Sequence, residues 1–90
     1  MKPIRSTPHA LNNLIERKID RKEAEKTLAD PEVMAPNQPE RSLFMRRYFD
    51  NVLEQEMLLI IVVEDTEVER LVVTVLKTSQ INKYLKETGL

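Results

Sequence analysis

Met57-Leu58-Leu59-Ile60-Ile61-Val62-Val63 is an unbroken apolar run, answered by Leu71-Val72-Val73-Thr74-Val75-Leu76 after the acidic stretch Glu64-Asp65-Thr66-Glu67. Runs of this length, rich in β-branched residues, suit strands rather than helices. Apolar residues without alternation mean burial on both faces, so the two runs predict adjacent central strands joined as a hairpin, with cover needed on each side. On the last strand, alternation groups Leu71, Val73, Val75 and Lys77 on one face and Val72, Thr74, Leu76 and Thr78 on the other.

The flanking sequence supplies the cover. Ile4 to Thr7 forms a short lead-in. Thr7-Pro8 is a hydroxyl N-cap followed by proline at the first helical position. Leu11, Leu14 and Ile15 then follow at helical spacing, predicting a helix over about 8–18. Asp20 and Glu23 have capping-box spacing, and Ile19 with Ala24 can form a hydrophobic staple, predicting a second helix over about 20–29. Its apolar stripe, Ala24 and Leu28, is thin and predicts a half-covered helix. Pro31, Pro36 and Pro39 punctuate a short edge strand at about 33–36, and alternation marks a strand at about 42–49. The central strands are expected at about 55–64 and 68–78, with a short helix at about 79–86 and frayed residues beyond. The expected fold is α+β in one domain spanning 1–90, with two N-terminal helices on a roughly four-stranded, mostly antiparallel sheet and a short C-terminal helix.

Composition narrows the function classes. Ninety residues allow one modest core, and no cysteine is present, so disulfides and thiolate metal sites are excluded. The N-terminal residues lack the apolar stretch of a secretory signal, and no apolar run approaches the ~20 residues of a membrane span. A cytoplasmic protein with no membrane association is expected. Fourteen basic and fifteen acidic side chains nearly cancel, but their distribution is uneven. Residues 50–70 carry seven acids and one base, whereas 41–49 and 77–86 carry three bases each and no acid. Two basic segments that met in space would form a local anion site; otherwise they are ordinary solvated charges.

The only glycine is Gly89, which excludes a glycine-rich phosphate loop, and the single histidine cannot close a zinc site. No cofactor or metal is expected. His9 falls at the second position of the first helix, where the positive helix end favours a neutral imidazole suited to general base work. The competing reading is an exposed histidine at a helix start. Arg46, Arg47 and Tyr48 suit a phosphate and a stacked base, or else arginines whose stems cover apolar surface beside a core tyrosine and Phe49. Lys77-Thr78-Ser79 closes a central strand with a cation and two hydroxyls. Ser79 is expected to cap the following helix, and Lys77 is left open.

Thr7-Pro8-His9-Ala10, Glu16-Arg17 with Ile19, Asp30-Pro31, Val72-Val73-Thr74-Val75 and Lys77-Thr78-Ser79 with Tyr84-Leu85 resemble, in order and spacing, the domain-of-unknown-function 4258 family. Lys18 stands where that family usually has glycine, and Leu76 where it usually has tyrosine. The family is similar to the small ribonuclease toxins of the RelE/ParE and BrnT type. The resemblance implies helices on an antiparallel sheet, an RNA phosphodiester substrate and a cognate antitoxin protein. It also implies His9 as general base or acid, Arg47 and Lys77 as stabilisers of the phosphorane, and Tyr48 as the group that positions substrate. The alternative expectation is a non-catalytic protein-interaction domain on the same scaffold. It would pair with itself as a homodimer, or with another protein, through an exposed strand at Val33 or Ser42 or through the half-covered second helix. A lesser one is nucleic-acid binding without cleavage.

Overall fold

The computed structural model describes residues 2–87. The described residues form an α+β architecture, with a five-stranded mixed sheet and three helices. In chain order the elements are β1 (Ile4–Ser6), α1 (Pro8–Glu16), α2 (Arg21–Ala29), β2 (Val33–Gln38), β3 (Arg41–Asp50), β4 (Gln55–Asp65), β5 (Arg70–Thr78) and α3 (Ile81–Glu87). The sheet order is β1-β5-β4-β3-β2, antiparallel throughout except for the parallel pair β1–β5. β1 and β2 are the edges, so the Ser42 strand is interior. The fraying expected at the C-terminus falls largely on Thr88 to Leu90, outside the described residues.

The uninterrupted apolar run of β4 is buried from Met57 through Ile61. Met57, Leu59, Ile61 and Val63 face α1 and α2, in one cluster with Phe44, Tyr48, Ala10 and Ala24. Leu58 and Ile60 face the other way, in a cluster with Met45, against which Ile81 and Tyr84 of α3 pack. Each large side chain withdrawn from water in this way contributes about 1.5–3 kcal/mol. Helices therefore cover both faces, as a strand without alternation requires.

Three local details depart from the sequence reading. Ile4-Arg5-Ser6 is a strand, a fifth, paired in parallel with Arg70-Leu71-Val72. Three residues carry no periodic signal of their own, and their partners are supplied only by the folded chain. The register of β4 and β5 shifts between Val62 and Val63, where Val62 opposes Thr74 but Val63 opposes Val72. This bulge leaves Val73 as the extra residue and puts Val72 in the same cluster as Val75, against strict alternation. Finally, Ser79 is not the cap of α3; the Thr78 hydroxyl accepts from Gln80 N–H (3.0 Å) and Gln80 C=O accepts from Tyr84 N–H (3.3 Å).

α1 is anchored on the outer edge of β5, where β1 is too short to satisfy the strand. Thr7 N–H donates to Val72 C=O (3.0 Å), and the Thr7 hydroxyl donates to Val73 C=O (3.2 Å) while accepting from Ala10 N–H as the N-cap. Further along, the buried Asn13 Oδ1 accepts from Val75 N–H (3.1 Å), and Arg17 donates to Val75 C=O (2.8 Å). Side chains thus take the place of a neighbouring strand. α1 closes with a Schellman arrangement, in which Ile19 N–H donates to Leu14 C=O (2.9 Å) and Lys18 N–H to Ile15 C=O (3.3 Å). Lys18 takes φ 52°, in the left-handed region that favours glycine. At the start of α2, Asp20 caps Lys22 N–H (2.9 Å), but Glu23 does not complete the capping box and turns to Arg46 instead.

Replacing Asn13 with alanine removes the acceptor of the buried Val75 N–H and should destabilise the fold by about 1–3 kcal/mol. Lys18→Gly should act oppositely and stabilise by roughly 0.5–1 kcal/mol, because it relieves the left-handed backbone cost. Urea unfolding of both variants measures the two effects, and equal midpoints with the native protein would remove both accounts.

Candidate functional site

β3 and β5 bring Tyr48 and Lys77 to the same end and the same face of the sheet. Tyr48 opposes Met57 and Lys77 opposes Leu59 across β4. Between them lies Asp50, the last residue of β3 and only 4% exposed. Its Oδ2 accepts from Lys77 Nζ (2.7 Å) and from the Tyr48 hydroxyl (3.1 Å). Its Oδ1 accepts from Val52 N–H (2.9 Å) and Leu53 N–H (3.0 Å), which fixes the β3–β4 turn. Lys77 also donates to Lys18 C=O (3.2 Å), so the link between α1 and α2 is tied to the same point. The Lys77 side chain is 13% exposed. Sequence reasoning missed Asp50 because it read as a turn residue. The available signal was its i, i+2 spacing from Tyr48, which puts both on one strand face.

The electrostatics follow from this geometry. Lys77 donation, helped by the turn N–H groups and the Tyr48 hydroxyl, holds the Asp50 carboxyl at about 2 against the opposing effect of burial. Burial and the neighbouring Asp50 push the Tyr48 phenol well above the usual tyrosine range. At neutral pH Asp50 is therefore a carboxylate, paired with Lys77, and Tyr48 is a neutral phenol. Each is already committed to a partner, an arrangement that holds structure together and leaves the lysine charge neutralised.

His9 and Arg47 lie elsewhere. α1 starts beside Val72 and its C-terminal end reaches Lys77 through Lys18, so His9 sits at the far end of the helix. Five strand residues separate those levels, roughly 16 Å at the usual rise. His9 is exposed. Arg47 points to the opposite face of the sheet from Tyr48, where Glu32 clamps it (Nη2–Oε2 2.8 Å, Nε–Oε2 3.2 Å). That guanidinium and a backbone N–H pull the Glu32 carboxyl below the usual range. Arg46, on the α2 face, is paired with Glu23 (2.8 Å). Of the four sequence candidates, the structure joins Tyr48 to Lys77 and leaves His9 and Arg47 apart. The two basic segments meet at a shallow recess bordered by Arg47, Lys83 and Glu56, whereas Arg46, Arg47 and Lys77 each face a carboxylate.

A recess lies elsewhere on the same face. α1 rests on β5 whereas α2 rests on β3 and β4, and a cleft of about 690 Å³ opens between them. Leu11 and Leu14 of α1, Ala24 and Leu28 of α2, and Ile61 and Val72 of the sheet give it an apolar lining. Lys2, Arg21, Glu25 and Arg70 are its charged residues, beside Ser6. Arg70 is held by Asp65 (2.8 Å) with its guanidinium carbon 5.0 Å from the Phe44 ring centre. The sequence predicted the thin stripe of α2 but not that it would leave a cleft, since the separation of the helices depends on which strands they choose. The chain matches no family model, no curated protein and no solved structure. Among the described residues no helix is long and apolar enough to cross a membrane.

Lys77→Met strands the buried Asp50 carboxylate and should cost roughly 3 kcal/mol. In the native protein the folded Asp50 value lies below its unfolded one, so its stabilisation is complete above about pH 4 and is lost as pH falls toward about 2. Asp50→Asn should flatten that acid limb, measured as the urea midpoint against pH. An unchanged limb would show that the pair contributes nothing to acid stability.

Proposed function

We propose that this chain is a RelE/ParE-like domain of the cytoplasm that acts as a non-catalytic protein-interaction module, with the α1–α2 cleft as its contact surface. The observation that carries this reading is the cleft itself. It is apolar, lies within the size range of true binding pockets, and has exposed Ile4 and Leu11 on its wall. The half-covered α2 is the element that leaves it open. An exposed leucine at this position gains little in an isolated domain, but it contributes on binding a partner.

The ribonuclease-toxin reading, with an RNA substrate and a cognate antitoxin, stands second. It is favoured by the meeting of Tyr48 and Lys77 at one sheet end. Against it, an in-line attack at a phosphodiester needs base and cations within about 3 Å of one reacting group. His9 and Arg47 are held away from the Tyr48–Lys77 pair, and the lysine charge is neutralised.

Purified protein is expected to leave RNA intact, and induced native protein and His9→Ala are expected to be equally harmless to cells. A partner recovered with the native chain should be lost with Leu11→Glu, an exposed position where the melting temperature should not change. RNA cleavage that disappears in both His9→Ala and Arg47→Ala would reverse the order of the two readings.

A further inference from the structure

α1 and α2 are held to the sheet in different ways. α1 carries Thr7, Asn13 and Arg17, which meet the backbone of β5 at Val73 and Val75. α2 has one such tie among the described residues, from Glu23 to Arg46 (2.8 Å). The two side chains are 18% and 19% exposed, so solvent screens the contact little. Otherwise α2 rests on the small buried Ala24 and Thr27 and on the half-buried Leu28. The Thr27 hydroxyl donates to Glu23 C=O (2.8 Å) within the same helix and adds nothing to its docking.

The chain is fixed on either side of this weakly held segment. Before it, Ile19 is buried and Lys77 holds the Lys18 carbonyl (3.2 Å). After it, Glu32 N–H donates to Met45 C=O (2.9 Å), and the Glu32 carboxylate accepts from Arg47 N–H (2.7 Å). Residues 20–31 can therefore leave the sheet while both flanks stay in place. A helix of nine residues is too short to persist alone, so α2 loses its own hydrogen bonds when it leaves. The face of β3 and β4 that it covers carries Phe44, Leu59 and Ile61, and Ile61 also lines the cleft.

We propose that α2 is a latched flap that opens as a local unit while the rest of the domain stays folded. The Glu23–Arg46 contact is the latch. Opening joins the α1–α2 cleft to the apolar face of β3 and β4, and so offers a partner more apolar surface than the closed cleft does. The proposal deepens the interaction reading and rests on it for what the open form receives. The motion itself needs no partner, because a segment with few buried contacts opens below the free energy of global unfolding.

Amide hydrogen exchange, read residue by residue in urea below the unfolding transition, tests this. The amides of Leu28 and Asp30, which close α2, should exchange at least about tenfold faster than that of Ile61 in β4. Their rates should hardly change with urea, because a local opening exposes little surface. Arg46→Met should speed the α2 amides by roughly tenfold or more, and Glu23→Gln, a milder change, should act in the same direction. Asn13→Ala removes a contact that the open form retains, so it should speed Ile61 and leave Leu28 and Asp30 unchanged. Nile red, a neutral apolar dye, should fluoresce more strongly with Arg46→Met than with the native chain. Exchange of α2 at the rate and urea dependence of Ile61 overturns the flap, as does equal acceleration of both by Asn13→Ala. Faster α2 exchange without added dye binding overturns the joining of cleft and sheet face. A partner that Leu11→Glu fails to release would remove the interaction reading and leave the flap in place.

Discussion

The 2.7 Å contact between Lys77 and Asp50 is the constraint on which the rest of the structure depends. It joins the end of β5 to the end of β3 across β4, and through the Lys18 carbonyl it fastens the link between α1 and α2 to the same point. Burying two charges is costly unless every remaining lone pair and proton is used. Here the Tyr48 hydroxyl and two turn N–H groups complete the carboxylate, so the pair holds a defined geometry. The same completeness removes the cluster from solution chemistry. A lysine that must hold a buried carboxylate and a carbonyl is poorly placed to receive a phosphate.

The second constraint lies along the outer edge of β5. With β1 only three residues long, the strand has more backbone groups than its neighbour can satisfy. Thr7, Asn13 and Arg17 meet that need from α1, which fixes the helix lengthwise on β5. α2 has no comparable side chains for β5 and lies over β3 and β4, where Glu23 meets Arg46. The separation of the helices, and therefore the cleft, follows from where their polar side chains find partners. Ala10 and Ala24, two of the buried residues of these helices, are too small to fill the gap.

Charge follows the same logic at larger scale. A chain with fourteen basic and fifteen acidic residues can still display strongly charged regions if like charges cluster. Folding instead sets the bases of the arginine-rich β3 against acids from other elements, Arg41 against Glu64, Arg46 against Glu23 and Arg47 against Glu32. The β4–β5 end is arranged in the same way, with Arg5 against Glu69, Arg70 against Asp65 and Lys2 on the Thr66 carbonyl.

The sequence by itself determined the parts governed by local pattern. The unbroken apolar runs of β4 and β5 demanded a covered central hairpin. The Thr7-Pro8 and Asp20 signals placed the helix starts, and alternation placed β3. Each depends on neighbours within a turn or a strand length, which a linear reading can see. Only the tertiary structure decided the rest. β1 exists because β5 offers it hydrogen bonds. Val72 faces α1 because a bulge interrupts the strand. Asp50 became the centre of a buried network because Tyr48, Lys77 and the β3–β4 turn converge on it. Tyr48 and Lys77 meet while His9 and Arg47 do not, because strand pairing and helix placement set distances between residues far apart in sequence. Those distances depend on partners, and partners are chosen only when the chain closes on itself.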